Sequence, residues 1–120
     1  MQANFDIDVA QRSVAIARWV AQAFAFEVRA HFGDRLRRVK LYGSAARGDF
    51  TPDSDIDVLV LLDRLTTEDE EWLTRRAFAL GVLQHGIVLQ PIFMTEADFA
   101  NLQARERRFA VEIEAEGITL

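Results

Sequence analysis

The seven residues Ile56-Asp-Val-Leu-Val-Leu-Leu62 place the strongest constraint on how this chain can fold. Apolar side chains fall on both faces of the strand they predict, as in a strand that is covered on both sides. The longest uninterrupted apolar run, Val58 to Leu62, is far short of the roughly 20 residues of a membrane span, so the cover is expected from protein. Half of the 120 residues are apolar and nine are Phe. That is enough to build a real core at the size of one ordinary domain. With no internal repeat, low-complexity tract or linker, residues 1–120 read as a single domain.

The rest of the chain alternates helical and extended patterns. From about Asp8 to Phe32, Val9, Ile16, Val20, Ala23, Phe24 and Val28 recur at helical spacing, with Arg12, Arg18, Gln22 and Arg29 largely between them. Gly33-Asp34 is the expected stop. Val39 to Tyr42 reads as a strand ending at Gly43, Ala45 to Gly48 as one helical turn, and Phe50 to Ser54 as a loop around Pro52. Thr66-Thr67 and the following acidic residues Glu68 to Glu70 predict a capped helix through Trp72, Leu73, Arg76, Leu80 and Leu83. The run Glu68-Asp69-Glu70-Glu71 reads as its solvated start. A third strand is expected at Ile87 to Met94, where Pro91 signals an edge position or a bulge. Thr95 then caps a last helix running through Leu102, Phe109 and Ile113 to Gly117. The element order is αβ(α)βαβα.

Composition excludes several function classes. A formal net charge of −5 argues against general nucleic-acid affinity, which needs a positive excess. The chain has no cysteine, so disulfides and cysteine-ligated zinc are ruled out, in keeping with a cytoplasmic setting. Met1 to Asp6 has neither a basic nor an apolar leader region, and no signal peptide or membrane attachment is expected.

The chemistry concentrates in Gly43-Ser-Ala-Ala-Arg-Gly-Asp-Phe-Thr-Pro-Asp-Ser-Asp-Ile-Asp57. Asp55 and Asp57 lie two apart, so on a strand their carboxylates share a face, with Cα atoms about 6.5–7 Å apart. That suits magnesium, a hard ion that takes one or two protein carboxylates together with substrate phosphates. Gly43 allows a sharp turn and close backbone approach. Ser44 adds a hydroxyl, and a helical turn starting there would present N–H groups to an anion. Arg47 can reach a phosphate bidentately or pair with Asp49 on the surface. The Walker pattern of a P-loop is absent. Taken singly, each of these features has an ordinary structural explanation. Together they are far more specific.

This segment closely resembles the signature of minimal nucleotidyltransferases of the DNA polymerase β-like superfamily. The family pattern is Gly-Ser, ten residues, then Asp-X-Asp, commonly with Ala-Arg-Gly after the Ser and Ser before the first Asp. Every position matches. The resemblance implies an α/β (α+β) fold with a small mixed β-sheet flanked by helices. It implies that the chain binds a nucleoside triphosphate, ATP first among them, with Mg2+, and transfers a nucleoside monophosphate to an acceptor hydroxyl with release of pyrophosphate. Carried over by residue, Gly43, Ser44, Arg47 and Ser54 would bind the nucleotide. Asp55 and Asp57 would be catalytic and hold the metal.

The chain departs from the family on its third strand. Active members generally carry a further carboxylate there, whereas Ile87 to Met94 contains no Asp or Glu and offers Gln90 instead. An amide can coordinate a metal through its oxygen but cannot serve as a general base. Glu96 and Asp98, beyond the strand, read as helix-capping residues. Three readings follow: a transferase working with two carboxylates, a nucleotide-binding protein of weak activity, or an interaction subunit. The resemblance also implies a partner for the last two, an antitoxin-like pairing with a helical HEPN-domain protein; a homo-oligomer is the other assembly considered. Elsewhere, His31 and His85 read as helix-end cations, and Trp19 and Trp72 as packing residues. Arg105, Arg107 and Arg108 read as part of an exposed charged helix, and Phe109, Val111 and Ile113 as its apolar side.

Overall fold

The strand with two apolar faces, β2 (Ile56–Leu62), lies inside a four-stranded sheet. The structure is a computed structural model describing the backbone of residues 2–120 and the side chains of residues 9–120. The side chains of Met1 to Asp6, read above for a leader sequence, lie outside the described residues. β1 (Leu36–Tyr42) pairs antiparallel with β2, and β3 (Leu89–Thr95) pairs parallel with it on the other side. A two-residue β4 (Ile118–Thr119) adds antiparallel to β1, giving the order β3-β2-β1-β4. The parallel pair requires a crossover, which is made by α3 (Thr67–Phe78) and a π-helical segment, Ala79–Leu83.

Alternation along β2 divides the core in two. Ile56, Val58, Val60 and Leu62 point into a large cluster with Val20, Phe24 and Val28 of α1 (Gln2–Phe32) and Leu73 of α3. Leu59 and Leu61 point the other way, onto Phe99 of α4 (Glu96–Ala104) and Ala110 and Ile113 of α5 (Arg108–Glu116). The expected mixed sheet flanked by helices is therefore present. Among the described residues no helix is long and apolar enough to cross a membrane.

Several local expectations need correcting. The last helix is two helices, α4 and α5, broken at Arg105 to Arg107 with Glu106 at a φ of 53°. No Gly or Pro marks that break. Docking of both Phe99 and Ile113 on one sheet face favours it over a straight helix, at the expense of a left-handed residue. The third strand begins at Leu89, where the Ile56 N–H bond to the Val88 carbonyl opens the parallel ladder, because the Ile87 N–H is held instead by the Gly81 carbonyl. Pro91 does lie on an edge strand, as expected. The helix at Thr66 has the predicted cap, in which the Thr66 hydroxyl accepts from Asp69 N–H and the Asp69 carboxylate accepts from Thr66 N–H. Asp69 itself is not solvated. It is buried, with Arg35 donating to both its oxygens, and this holds its carboxyl well below the usual range. Arg35 also donates to Asp63 and to the Arg64 carbonyl, joining the start of β1 to the end of β2 and the head of α3.

Candidate functional site

β1 ends at Tyr42, and the chain turns at Gly43 into a single helical turn, α2 (Ser44–Arg47). Gly43 adopts φ 73° and ψ −154°, a region essentially closed to residues with a Cβ. A Cβ there would also clash with the Asp57 carboxylate, falling within 3.3 Å of its Cγ. The glycine thus brings the turn's backbone directly against the second aspartate of the motif. α2 is seated by Arg18 of α1, whose guanidinium donates to the carbonyls of Ala45 and Ala46 at 2.9 and 3.1 Å. Ala45 is fully buried at this contact. Nothing in the α1 pattern marked Arg18 for this role, since it falls among the polar positions of a helical repeat.

The turn offers fewer donors than its sequence suggests. The N–H groups of Ala46 and Arg47 bond to the Gly43 carbonyl at 3.1 and 3.0 Å. Among the described hydrogen bonds this leaves the N–H groups of Ser44 and Ala45, with the Ser44 hydroxyl, as the donors for a ligand. Ser54 is engaged locally, in closing the loop before β2. Its hydroxyl accepts from Thr51 N–H and shares a 3.1 Å bond with the Thr51 hydroxyl.

Asp55 precedes β2 and is exposed, whereas Asp57 is its second residue and is half-buried. Burial pushes the Asp57 carboxyl above its ordinary value, the charge of Asp55 raises it further, and Arg47 opposes both. Asp57 lies directly across β1 from Tyr42 and across β3 from Gln90. Tyr42 is held protonated well above the usual phenol range, first by burial and then by the Asp57 charge.

A cleft of about 430 Å³ gathers these groups. Gly43, Ser44, Arg47, Ser54, Asp55 and Asp57, the six residues singled out in the sequence, all line it. Its other wall comes from Tyr42 and from Phe109, Glu112, Ile113 and Glu116 on α5. The α5 residues were missed as a site because only the break before Arg108 turns them over the motif. Arg47 forms both ion pairs open to it, with Asp49 at 3.4 Å and Glu116 at 3.6 Å. Gln90, His31, His85 and Trp72 do not line the cleft. His31 stacks on Trp72 at 3.8 Å, and Trp19 meets His85 edge-on while remaining exposed.

The cleft sets four carboxylates against one guanidinium, an excess of negative charge that favours a cation over an anion. Asp55 and Asp57 are the two carboxylates that could hold a magnesium ion, which accepts one or two protein carboxylates. Among the described residues no group of three or more acidic or histidine side chains is placed to hold a metal. Glu112 and Glu116 thus belong to the wall and not to the aspartate pair.

Residues 22–116 match the sequence profile of the nucleotidyltransferase domain. This chain belongs to that family. Two candidate protein adenylyltransferases of Methanocaldococcus jannaschii are similar to it. One, MJ0141, is 28% identical over 94 residues, covering 78% of this chain and 95% of the relative. The other, MJ0604, is 32% identical over 76 residues, covering 63% and 71%. A crystal structure of a candidate nucleotidyltransferase from Sulfolobus solfataricus aligns with a TM-score of 0.46 at 19% identity, covering 94% of this chain and 83% of that one.

Proposed function

We propose that this nucleotidyltransferase-family domain transfers a nucleoside monophosphate from a nucleoside triphosphate, ATP first among them, to a hydroxyl on a protein acceptor. The single observation that carries the reading is the contact between the Gly43 turn and Asp57, which sets phosphate donors beside a paired carboxylate in one cleft. Ser44 and Ala45 N–H groups would hold phosphate oxygens. Asp55 and Asp57 would hold Mg2+, which when bound neutralises phosphate charge and polarises the reacting phosphorus. The acceptor oxygen forms a bond to the α-phosphorus, the α–β bridging bond breaks, pyrophosphate departs, and the hydroxyl proton passes to solvent. To contact phosphate, Arg47 must exchange Asp49 and Glu116 for the incoming anion. The names of the two archaeal relatives support a protein acceptor.

The test uses each α-labelled triphosphate with magnesium and a soluble protein extract. Wild type is expected to leave covalent label on protein, and the double variant Asp55→Ala, Asp57→Ala none. Equal labelling by both would overturn transfer.

The position of Gln90 favours a second reading, a nucleotide-binding subunit acting through a partner such as a HEPN-type helical protein. Gln90 stands in register with Asp57, on the strand where the resembled family carries its third carboxylate, although it does not line the cleft. Magnesium-dependent ATP binding by calorimetry, without labelling by wild type but with labelling by Gln90→Asp, would select this reading. Absence of any binding heat would overturn both.

A further inference from the structure

We propose that Phe109 is the platform on which the nucleobase stacks, and that the cleft prefers purine to pyrimidine nucleotides for that reason. This rests on the nucleotide reading above and extends it to the base. The cleft has two chemically different walls. One is the Gly43 turn with Asp55 and Asp57, which suits phosphate and metal. The other carries Glu112 and Glu116 beside an apolar stretch of Tyr42, Phe109 and Ile113, and that stretch offers phosphate nothing. An aromatic wall within one cleft of a phosphate site suits a planar base, because every base has a face to stack and a bicyclic one covers more of the ring.

Phe109 is also built as a platform and not as simple core. Its neighbours Ala110 and Ile113 on α5 are fully buried, whereas Phe109 is only half-buried and lines the cleft. Tyr42 meets it edge-on, with ring centroids 5.8 Å apart and planes at 87°, so the ring is held before any ligand arrives. Tyr42 is the residue before Gly43 and lies directly across from Asp57. The pairing of β1 with β2 therefore fixes how far the platform stands from the carboxylates. α5 is anchored in turn by Lys40, whose buried ammonium donates to the Ile113 carbonyl at 3.4 Å. Glu112, one helical turn from Phe109's neighbour Arg108 and bonded to it at 2.8 Å, stands at the rim of the same wall.

The test compares magnesium-ATP, magnesium-UTP and magnesium-tripolyphosphate, the last having phosphates but no base, on wild type, Phe109→Leu and Phe109→Trp. Leu keeps apolar packing against the cluster of Leu59, Leu61 and Phe99 and removes the aromatic face; Trp keeps the face. Wild type is expected to bind ATP more tightly than UTP, and both more tightly than tripolyphosphate. Phe109→Leu should weaken ATP by roughly 5- to 100-fold, the range of one base–aromatic stack, and leave tripolyphosphate unchanged. Phe109→Trp should restore ATP binding. Equal weakening of ATP and tripolyphosphate by Phe109→Leu would show a structural role and overturn the proposal. So would wild-type ATP binding no tighter than tripolyphosphate, although the phosphate site would then stand. Failure of wild type to bind any of the three would overturn the nucleotide reading itself, and the platform with it.

Discussion

The two faces of the sheet differ in what they bury and what they leave open. Against α1 and α3 the sheet buries Ile56, Val58, Val60 and Leu62 beneath Phe24, Val28 and Leu73, a continuous apolar layer closed at one end by Arg35 and Asp69. Against α4 and α5 it buries Leu59 and Leu61 beneath Phe99, Ala110 and Ile113, with Tyr42, Ile92 and Met94 only half-buried, and leaves the cleft open beside them. The contrast teaches that one strand can serve as both keel and workbench. Asp57 replaces an apolar residue at the first position of β2 on the thinner face, where partial burial raises its pKa without a large core being lost.

Substitutions that separate the two faces can break or sharpen that contrast. The largest effect is expected for Gly43→Ala, which adds a Cβ in a backbone region that disfavours it and against the Asp57 carboxylate. Magnesium-ATP binding should fall below detection by calorimetry, while the strained turn costs about 1–3 kcal/mol of stability. Retention of wild-type affinity would show that the close approach is dispensable. Next, Phe24→Ala on the thick face should cost about 3–5 kcal/mol in denaturant unfolding. Phe99→Ala on the thin face should cost less, because α4 and α5 can loosen locally, seen as faster hydrogen exchange across residues 96–116. Equal losses with uniform exchange would erase the difference between the faces.

A smaller effect depends on pH. Because the folded-state pKa of Asp69 is depressed, its contribution is present above the ordinary carboxylate range and fades as pH falls through the folded value. The stability gap between wild type and Asp69→Asn should therefore be widest near neutrality and shrink below pH of about 4. A gap independent of pH would mean that the ion pair to Arg35 contributes nothing. The smallest effect is expected from Thr66→Ala, about 1 kcal/mol for loss of one helix cap, with nucleotide affinity unchanged.

These regions also differ in how far they could be read from the chain. The bounds of β2, the cap at Thr66, the edge position of Pro91 and the six motif residues were legible because each depends on local pattern or on a short fixed spacing. Asp69 looked solvated because its partner, Arg35, is brought to it only by the pairing of β1 with β2. The break between α4 and α5 carries no Gly or Pro, so it shows only in what the two helices bury. β4 is two residues long, too short for alternation to register. The second wall of the cleft was hidden with that break: Phe109, Glu112 and Glu116 are helical residues like any others until Glu106 turns them over the motif.

Five of the six residues of the motif wall lie between the end of one strand and the start of its antiparallel neighbour, and the sixth, Asp57, is the second residue of that neighbour. In kinetic terms the site is a property of a single hairpin. Bringing its ends together requires closing only one short loop, and loop-closure entropy rises slowly with length, whereas the parallel β3 must wait for a whole crossover. Formation of the β1–β2 pair is expected to precede docking of β3, α4 and α5, with high φ-values at Leu41 and Val58 and low ones at Ile92 and Ile113. The Gly43 turn and the aspartate pair would then be brought together with the first long-range contact the chain makes, before the wall that faces them exists.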